Sequence, residues 1–182
     1  MLETNIGKIL IHEEVLRKRI IELAKQISVD YKDKDLVLIV VLEGAMIFFA
    51  DLVREITLPP QSVLVNSIAV SSYGMGTKTS GTVKIKKDID TDIKGRNVLL
   101  LEDIIDTGLT LKFIIEYLKE KKPASLRNCV LLNKAERREV EVDLDYVGFK
   151  IPNEFVVGYG LDCAEKYRRL RHVVALKPEL YP

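Results

Sequence analysis

The sequence predicts an α/β domain, a sheet of parallel strands flanked by helices. Strand-like apolar runs alternate with segments whose apolar residues recur every three or four positions. Several of those runs are continuous rather than alternating, as strands covered on both faces require. The chain has 182 residues, the length of one domain with room for a small accessory lobe.

The elements follow in order. From His12 to Ser28, residues Leu16, Ile20, Leu23 and Ile27 mark one face of a helix. Leu36–Leu42 is a continuous apolar run and reads as a buried strand. Phe49, Leu52 and Ile56 indicate a second helix, stopped by Pro59 and Pro60. Ser62–Val70 is a strand. Ser71–Gly81 is polar and rich in Gly and Ser, so it reads as a long mobile loop, and "TVKIK" as an exposed strand returning from it. Val98–Leu101 is the next buried strand. Leu111, Ile114, Ile115 and Leu118 form the helix after it, with lysines at its end and Pro123 to terminate it. "SLRNCVLLN" is a further strand, and "YVGFK" and "EFVVGYG" are short strands towards the C-terminus.

Composition narrows the function. The net charge is +1, small for a domain that binds nucleic acid through phosphates alone. The N-terminus lacks a signal-like apolar core, and Glu43 and Gly44 divide the most apolar stretch into pieces too short to span a bilayer. Cys129 lies in an apolar run and Cys163 in a polar one, and neither shows metal-ligand spacing. The expectation is a cytoplasmic protein with no membrane and no nucleic-acid partner.

The chemistry concentrates in "VLLLEDIIDTGLTL", Val98 to Leu111. A lone Asp-Thr-Gly is most simply a helix cap, supplied by Asp106 or Thr107. Capping leaves Glu102 and Asp103 unexplained. As neighbours in extended chain they point to opposite faces, and each needs a partner. "DTGLT" offers backbone N–H groups, a glycine, hydroxyls and a helix N-terminus, the parts of an anion cradle. It contains no Lys, and the chain has no ATP-type phosphate loop. Carboxylates beside such a cradle suit ribose hydroxyls or Mg²⁺, which often bridges protein carboxylates to substrate phosphates. The stretch asks for a ribose 5-phosphate with a metal nearby.

The same stretch resembles the signature of the type I phosphoribosyltransferases, which bind 5-phosphoribosyl 1-pyrophosphate. Two acids, two apolar residues and then D-T-G-x-T make a specific pattern. "LEGA", "SSYGMGTKTSG", "LLNK" and "IPNEFVVGYGLDCAEKYRRL" extend the resemblance to the hypoxanthine-guanine branch, which serves purine salvage, over most of the chain. The resemblance implies transfer of the phosphoribosyl group to N9 of a 6-oxopurine, with Mg²⁺ as cofactor and a homodimer or homotetramer as the assembly. It implies a core over about residues 30–135 and a small hood built from the N-terminal segment and about 145–182.

It also implies roles. Glu102 and Asp103 would hold the ribose hydroxyls and help to place Mg²⁺. Asp106 would act as acid or base at purine N7, and with Thr107, Gly108, Leu109 and Thr110 would wrap the 5-phosphate. Lys134 would meet the 6-oxo group, Phe155 would stack on the base and the Val156 backbone would read its far edge. Asp162 would bind a second Mg²⁺ beside the purine, and Arg168 the pyrophosphate. Ser72 and Tyr73 would ride on a closing lid. The loop at Glu43 and Gly44 would bind pyrophosphate through its backbone, with a cis peptide between Leu42 and Glu43. There the family often carries Lys or Arg, so Glu43 removes a cationic contact.

Taken singly, these residues have plainer readings. Lys134 is then a solvated strand end, Phe155 a core residue, Arg168 part of a charged face and Tyr73 a loop anchor. Their joint occurrence in order favours the site. Two rival functions stay open: the same chemistry on xanthine or adenine, and a nucleic-acid-binding regulator that keeps the phosphoribosyl pyrophosphate site.

Overall fold

The computed structural model describes residues 6–72 and 83–181. The strands are β1 (Gly7–Ile11), β2 (Leu36–Leu42), β3 (Val63–Ser72), β4 (Val83–Lys87), β5 (Asn97–Ile105), β6 (Ser125–Asn133), β7 (Tyr146–Lys150), β8 (Val156–Val157) and β9 (Val173–Leu176). The helices are α1 (Glu13–Asp30), α2 (Met46–Glu55) and α3 (Leu109–Glu120). The main sheet has the order β4-β3-β2-β5-β6-β7 and is parallel except for β4, which runs back along β3. The α/β expectation and its parallel sheet are met.

Helices cover the main sheet on both faces, which is why the central strand β2 is apolar throughout. Leu36 and Leu38 of β2 and Leu99 and Leu101 of β5 pack with α1 and α2. Val37, Ile39, Val98 and Leu100 pack with α3 on the other face. A fully buried side chain of this kind contributes roughly 1.5–3 kcal/mol. The α1 face is the expected one, Leu16, Ile20, Leu23 and Ile27, joined by Ala24.

Topology fixes where a ligand can enter. The chain leaves β2 through α2 to pair β3 on one side, and leaves β5 through α3 to pair β6 on the other. Between β2 and β5 the direction of winding reverses, so the loops beyond their carboxyl ends diverge and leave a crevice. Glu43 and Gly44 follow β2, and Asp106 follows β5.

Several local expectations need correction. The second helix begins at Met46, so its deeply buried positions are Phe48 and Leu52; Phe49 is half-buried and Ile56 lies beyond the last turn. β5 continues to Ile105 because β6 keeps pairing with it after β2 has stopped, so Glu102 and Asp103 lie within the strand. "YVGFK" pairs with β6 and extends the main sheet, so the hood does not begin at 145. The second sheet is antiparallel, in the order β1-β9-β8. Its strands β1 and β9 were not expected; both are short and pair only with each other and β8, leaving little periodic signal. Cys163 is buried despite its polar neighbours, and both cysteines are free.

Candidate active site

Glu102 and Asp103 are the buried acids among the described residues. Leu99, Leu101 and Ile104 pack with the cluster of α1 and α2 and Ile105 with that of α3, in unbroken register with β6. Both acids line one open cavity of about 380 Å³ near the end of the strand. The Asp103 backbone N–H donates to Glu102 Oε1 at 3.3 Å, while Glu102 Oε2 is buried with no partner. Burial holds the Glu102 carboxyl well above the usual carboxylate range, and the Asp103 charge adds to the effect. Burial also raises Asp103, against the hydrogen bonds it accepts and the nearby Arg168 charge. The pair keeps a proton more readily than free carboxyls do, and an arriving cation or hydroxyl donor relieves it.

The same cavity is lined by Ile104, Ile105, Asp106, Thr107, Gly108, Thr110, Leu111 and Arg137. Gly108 occupies the N-cap position of α3 with φ 89°, a left-handed conformation suited to glycine. Gly108 itself offers no side-chain cap, and the Asp106 carboxylate faces Arg137 and Lys134, so Asp106 does not cap α3. Thr107 does so weakly, its Oγ1 accepting at 3.4 Å from the N–H of Leu109, the first helical residue. Unsatisfied N–H groups at the helix start favour an anion.

Asp106 has one carboxylate oxygen in use. Its Oδ2 lies 3.2 Å from Arg137 Nη1 and 3.6 Å from Lys134 Nζ, while Oδ1 is buried without a partner. Lys134 is not the solvated strand end that its position alone suggested: it is 5% exposed. Sequence reasoning passed over Arg137; the signal available was the basic pair after the lysine in "NKAERR".

Across the crevice, Gly44 touches the acid pair. A Cβ at Gly44 would sit 1.8 Å from Asp103 Oδ2. Gly160, with φ 104°, lies against the Gly44 carbonyl oxygen, 2.1 Å from where its own Cβ would be. Arg168 Nη1 donates to the Gly160 carbonyl at 2.8 Å and pairs with Asp162 Oδ1 at 3.0 Å. The other Asp162 oxygen accepts from the Glu165 N–H at 2.8 Å. The Leu42–Glu43 peptide is cis, and the Glu43 carboxylate lies 3.7 Å from Arg168 Nη2. Glu43 thus does more than omit a cation: it places a carboxylate beside the Arg168 guanidinium.

The structure brings Glu43, Gly44, Glu102, Asp103, Asp162 and Arg168 into one chain of contacts, with Asp106 and Lys134 beside it. Phe155 and Val156 stand on the second sheet. Phe155 is half-exposed and meets the Tyr181 ring at a centroid distance of 5.1 Å, a neighbour the sequence did not reveal. Val156 pairs with Ala175. Ser72 ends β3; Tyr73 and the rest of the expected lid to Gly81 lie outside the described residues. Among the described residues no group of three or more His, Cys, Asp or Glu side chains could hold a metal ion, and no helix is long and apolar enough to cross a membrane.

A family model described as a phosphoribosyl transferase domain matches residues 7–164. The chain belongs to the phosphoribosyltransferase family. Among phosphoribosyltransferases it is 48% identical to the hypoxanthine-guanine phosphoribosyltransferase of Mycobacterium avium, over 97% of this chain and 89% of that one. It is 50% identical to the enzyme of the same name from Aquifex aeolicus, over 91% and 92%. A hypoxanthine phosphoribosyltransferase structure from Staphylococcus aureus superposes with a TM-score of 0.93 at 41% identity, covering 100% of this chain and 97% of that one. A hypoxanthine-guanine phosphoribosyltransferase structure from Bacillus anthracis gives 0.88 at 48% identity, covering 94% and 99%.

The contact between Gly44 and Asp103 makes a prediction for this phosphoribosyltransferase. Gly44→Ala should force Asp103 aside, and a displacement of about 1 Å at a catalytic constellation can cost about 10²-fold in rate. Steady-state kinetics beside a melting curve would test it: kcat/KM should fall by that order while the protein remains folded at assay temperature. Unaltered kinetics would show that the Gly44 contact does not position Asp103.

Proposed function

We propose that this phosphoribosyltransferase transfers the 5-phosphoribosyl group from 5-phosphoribosyl 1-pyrophosphate to N9 of hypoxanthine and guanine, giving IMP or GMP and pyrophosphate. The observation that carries the reading is the juxtaposition of Asp106 and the buried Lys134 beside a glycine-led helix N-terminus and two buried acids. The curated relatives named above bear the same activity in their names.

In the mechanism the purine N9 lone pair attacks the sugar C1, the bond from C1 to the pyrophosphate oxygen breaks, and the N7 proton passes to Asp106. Thr107, Gly108, Leu109 and Thr110 wrap the 5-phosphate, using N–H groups at the start of α3. Glu102 and Asp103 accept hydrogen bonds from the ribose hydroxyls. The loop at Glu43 and Gly44 offers its backbone to the pyrophosphate, and Arg168 offers its guanidinium. Lys134 donates to the 6-oxo group, Phe155 stacks on the ring and Val156 presents backbone groups to its far edge. Ser72 and Tyr73 belong to the lid that excludes water as the sugar becomes cationic.

The residues fit Mg²⁺ in a particular way. Glu102 Oε2 is an orphaned buried oxygen, a hard donor of the kind magnesium takes. Bound Mg²⁺ would offset charge on the pyrophosphate as it leaves. Glu102 and Asp103 would hold one ion together with substrate oxygens, and Asp162 a second.

The partners are small molecules, and the near-neutral charge supports neither nucleic acid nor an acidic membrane surface. Exposed Met46 on α2 and Val65 on β3 support self-association as a homodimer or homotetramer. Two free cysteines support a reducing cytoplasm.

Base choice follows from Lys134, because an amino group at C6 cannot accept its hydrogen bond. Lys134→Ala should cost about 1–3 kcal/mol in kcat/KM for hypoxanthine by leaving the oxo group unpaired. Turnover of hypoxanthine and adenine by the one variant is the check. An unchanged kcat/KM for hypoxanthine would remove Lys134 from the base site.

A further inference from the structure

We infer that Arg137 is the cation of the 5-phosphate site, and that Asp106 holds it in place until the phosphate arrives. The inference rests on the phosphoribosyl transfer reading above and deepens it. A phosphate monoester carries about −1.5 to −2 charge at neutral pH. The cradle Thr107–Thr110 supplies backbone N–H groups, hydroxyls and a helix N-terminus but no charged side chain. Arg137 is the cationic side chain lining the same cavity as Thr107, Gly108 and Thr110.

Its position is built in by the backbone. The segment after β6 is stitched to the phosphate loop, with Glu139 N–H and Val140 N–H both donating to the Thr107 carbonyl, at 2.9 and 3.2 Å. At Gly108, a Cβ would come within 2.8 Å of the Val140 carbonyl oxygen and 3.0 Å of Arg138 Cδ. Any shift of the cradle therefore carries Arg137 with it.

The two adjacent arginines divide the work. Arg138 is committed to the protein: Nε donates to the Asp106 carbonyl at 3.1 Å and Nη2 to Asn133 Oδ1 at 2.7 Å. Arg137 makes one hydrogen bond among the described residues, Nη1 to Asp106 Oδ2 at 3.2 Å, and its side chain is 45% exposed. Most of a guanidinium's planar donors are then free for a phosphate, which such a fork binds bidentately.

The arrangement couples the substrates to Asp106. Both Arg137 and Lys134 face Asp106 Oδ2. A 5-phosphate draws Arg137 away, and a 6-oxopurine draws Lys134. Asp106 is relieved of both cations only when sugar phosphate and base are present together.

The experiment uses calorimetry with ribose 5-phosphate and, separately, pyrophosphate on the wild type, Arg137→Gln and Arg137→Lys, with turnover of the wild type measured alongside. Arg137→Gln should weaken ribose 5-phosphate by about 10-fold or more. It should leave pyrophosphate within about twofold, because that subsite is built on Arg168 and the loop after β2, and Arg137→Lys should recover part of the loss. Equal ribose 5-phosphate affinity in wild type and Arg137→Gln would overturn the inference. So would equal losses for both ligands, which would mark Arg137 as structural. Failure of the wild type to form nucleotide would instead refute the reading of the reaction, and the ligand comparison would still decide the role of Arg137.

Discussion

Asp106→Asn should bind 5-phosphoribosyl 1-pyrophosphate with little change and slow the chemical step by about 10²–10⁴. Asparagine keeps the shape of the side chain but cannot take a proton from N7. The alternative, that Asp106 serves the fold as a helix cap, has no support in the geometry. Gly108 fills the N-cap position, and the Asp106 carboxylate faces Lys134 and Arg137. Removing its charge loosens an ion pair with the 45%-exposed Arg137 at little cost, but leaves the buried Lys134 facing a neutral partner, so some loss of stability should accompany the slower chemistry. Single-turnover rates and a melting curve on the one variant separate the roles. A near-normal single-turnover rate would take Asp106 out of the mechanism.

Excess chelator should stop turnover, and added Mg²⁺ should restore it. The leaving pyrophosphate carries more negative charge than Arg168 can offset, particularly with Glu43 3.7 Å from that guanidinium. Metal assistance of this kind is worth several kcal/mol, or about 10³-fold and more. Glu102 and Asp103 alone make a poor cage, since no larger metal-binding group exists among the described residues. Mg²⁺ should therefore bind the free protein weakly and become saturable when 5-phosphoribosyl 1-pyrophosphate is present. Titration calorimetry with and without the sugar phosphate checks this, and full activity in chelator would sink it.

Much of the fold was legible because local and tertiary demands agree. β2 is apolar at every position because helices cover both its faces, and the α1 stripe repeats at helical spacing because one side meets the sheet. β1 and β9 escaped notice because five and four residues, paired only within a small second sheet, carry too few periods to register. The acids were found from their spacing, but their orientation was not. Both line one cavity because they sit near the end of β5, where β2 no longer pairs with it while β6 still does, in unbroken register. Arg137 was missed for a similar reason. Nothing in "KAERR" separates a solvated arginine from one held over a phosphate loop; the hydrogen bonds of Glu139 and Val140 to Thr107 make the difference. Glu43 could be seen to depart from the family pattern, yet its approach to Arg168 depends on how two distant loops meet.

The central claim is phosphoribosyl transfer to a 6-oxopurine, and a product assay tests it most directly. The protein would be incubated with 5-phosphoribosyl 1-pyrophosphate and Mg²⁺, together with hypoxanthine, guanine, xanthine or adenine in turn, and nucleotide and pyrophosphate would be quantified. IMP and GMP should appear with one pyrophosphate each, and adenine should give no nucleotide. Xanthine as the sole substrate would move the activity to the rival base. Absence of nucleotide from both hypoxanthine and guanine, with the protein folded and Mg²⁺ present, would contradict the account.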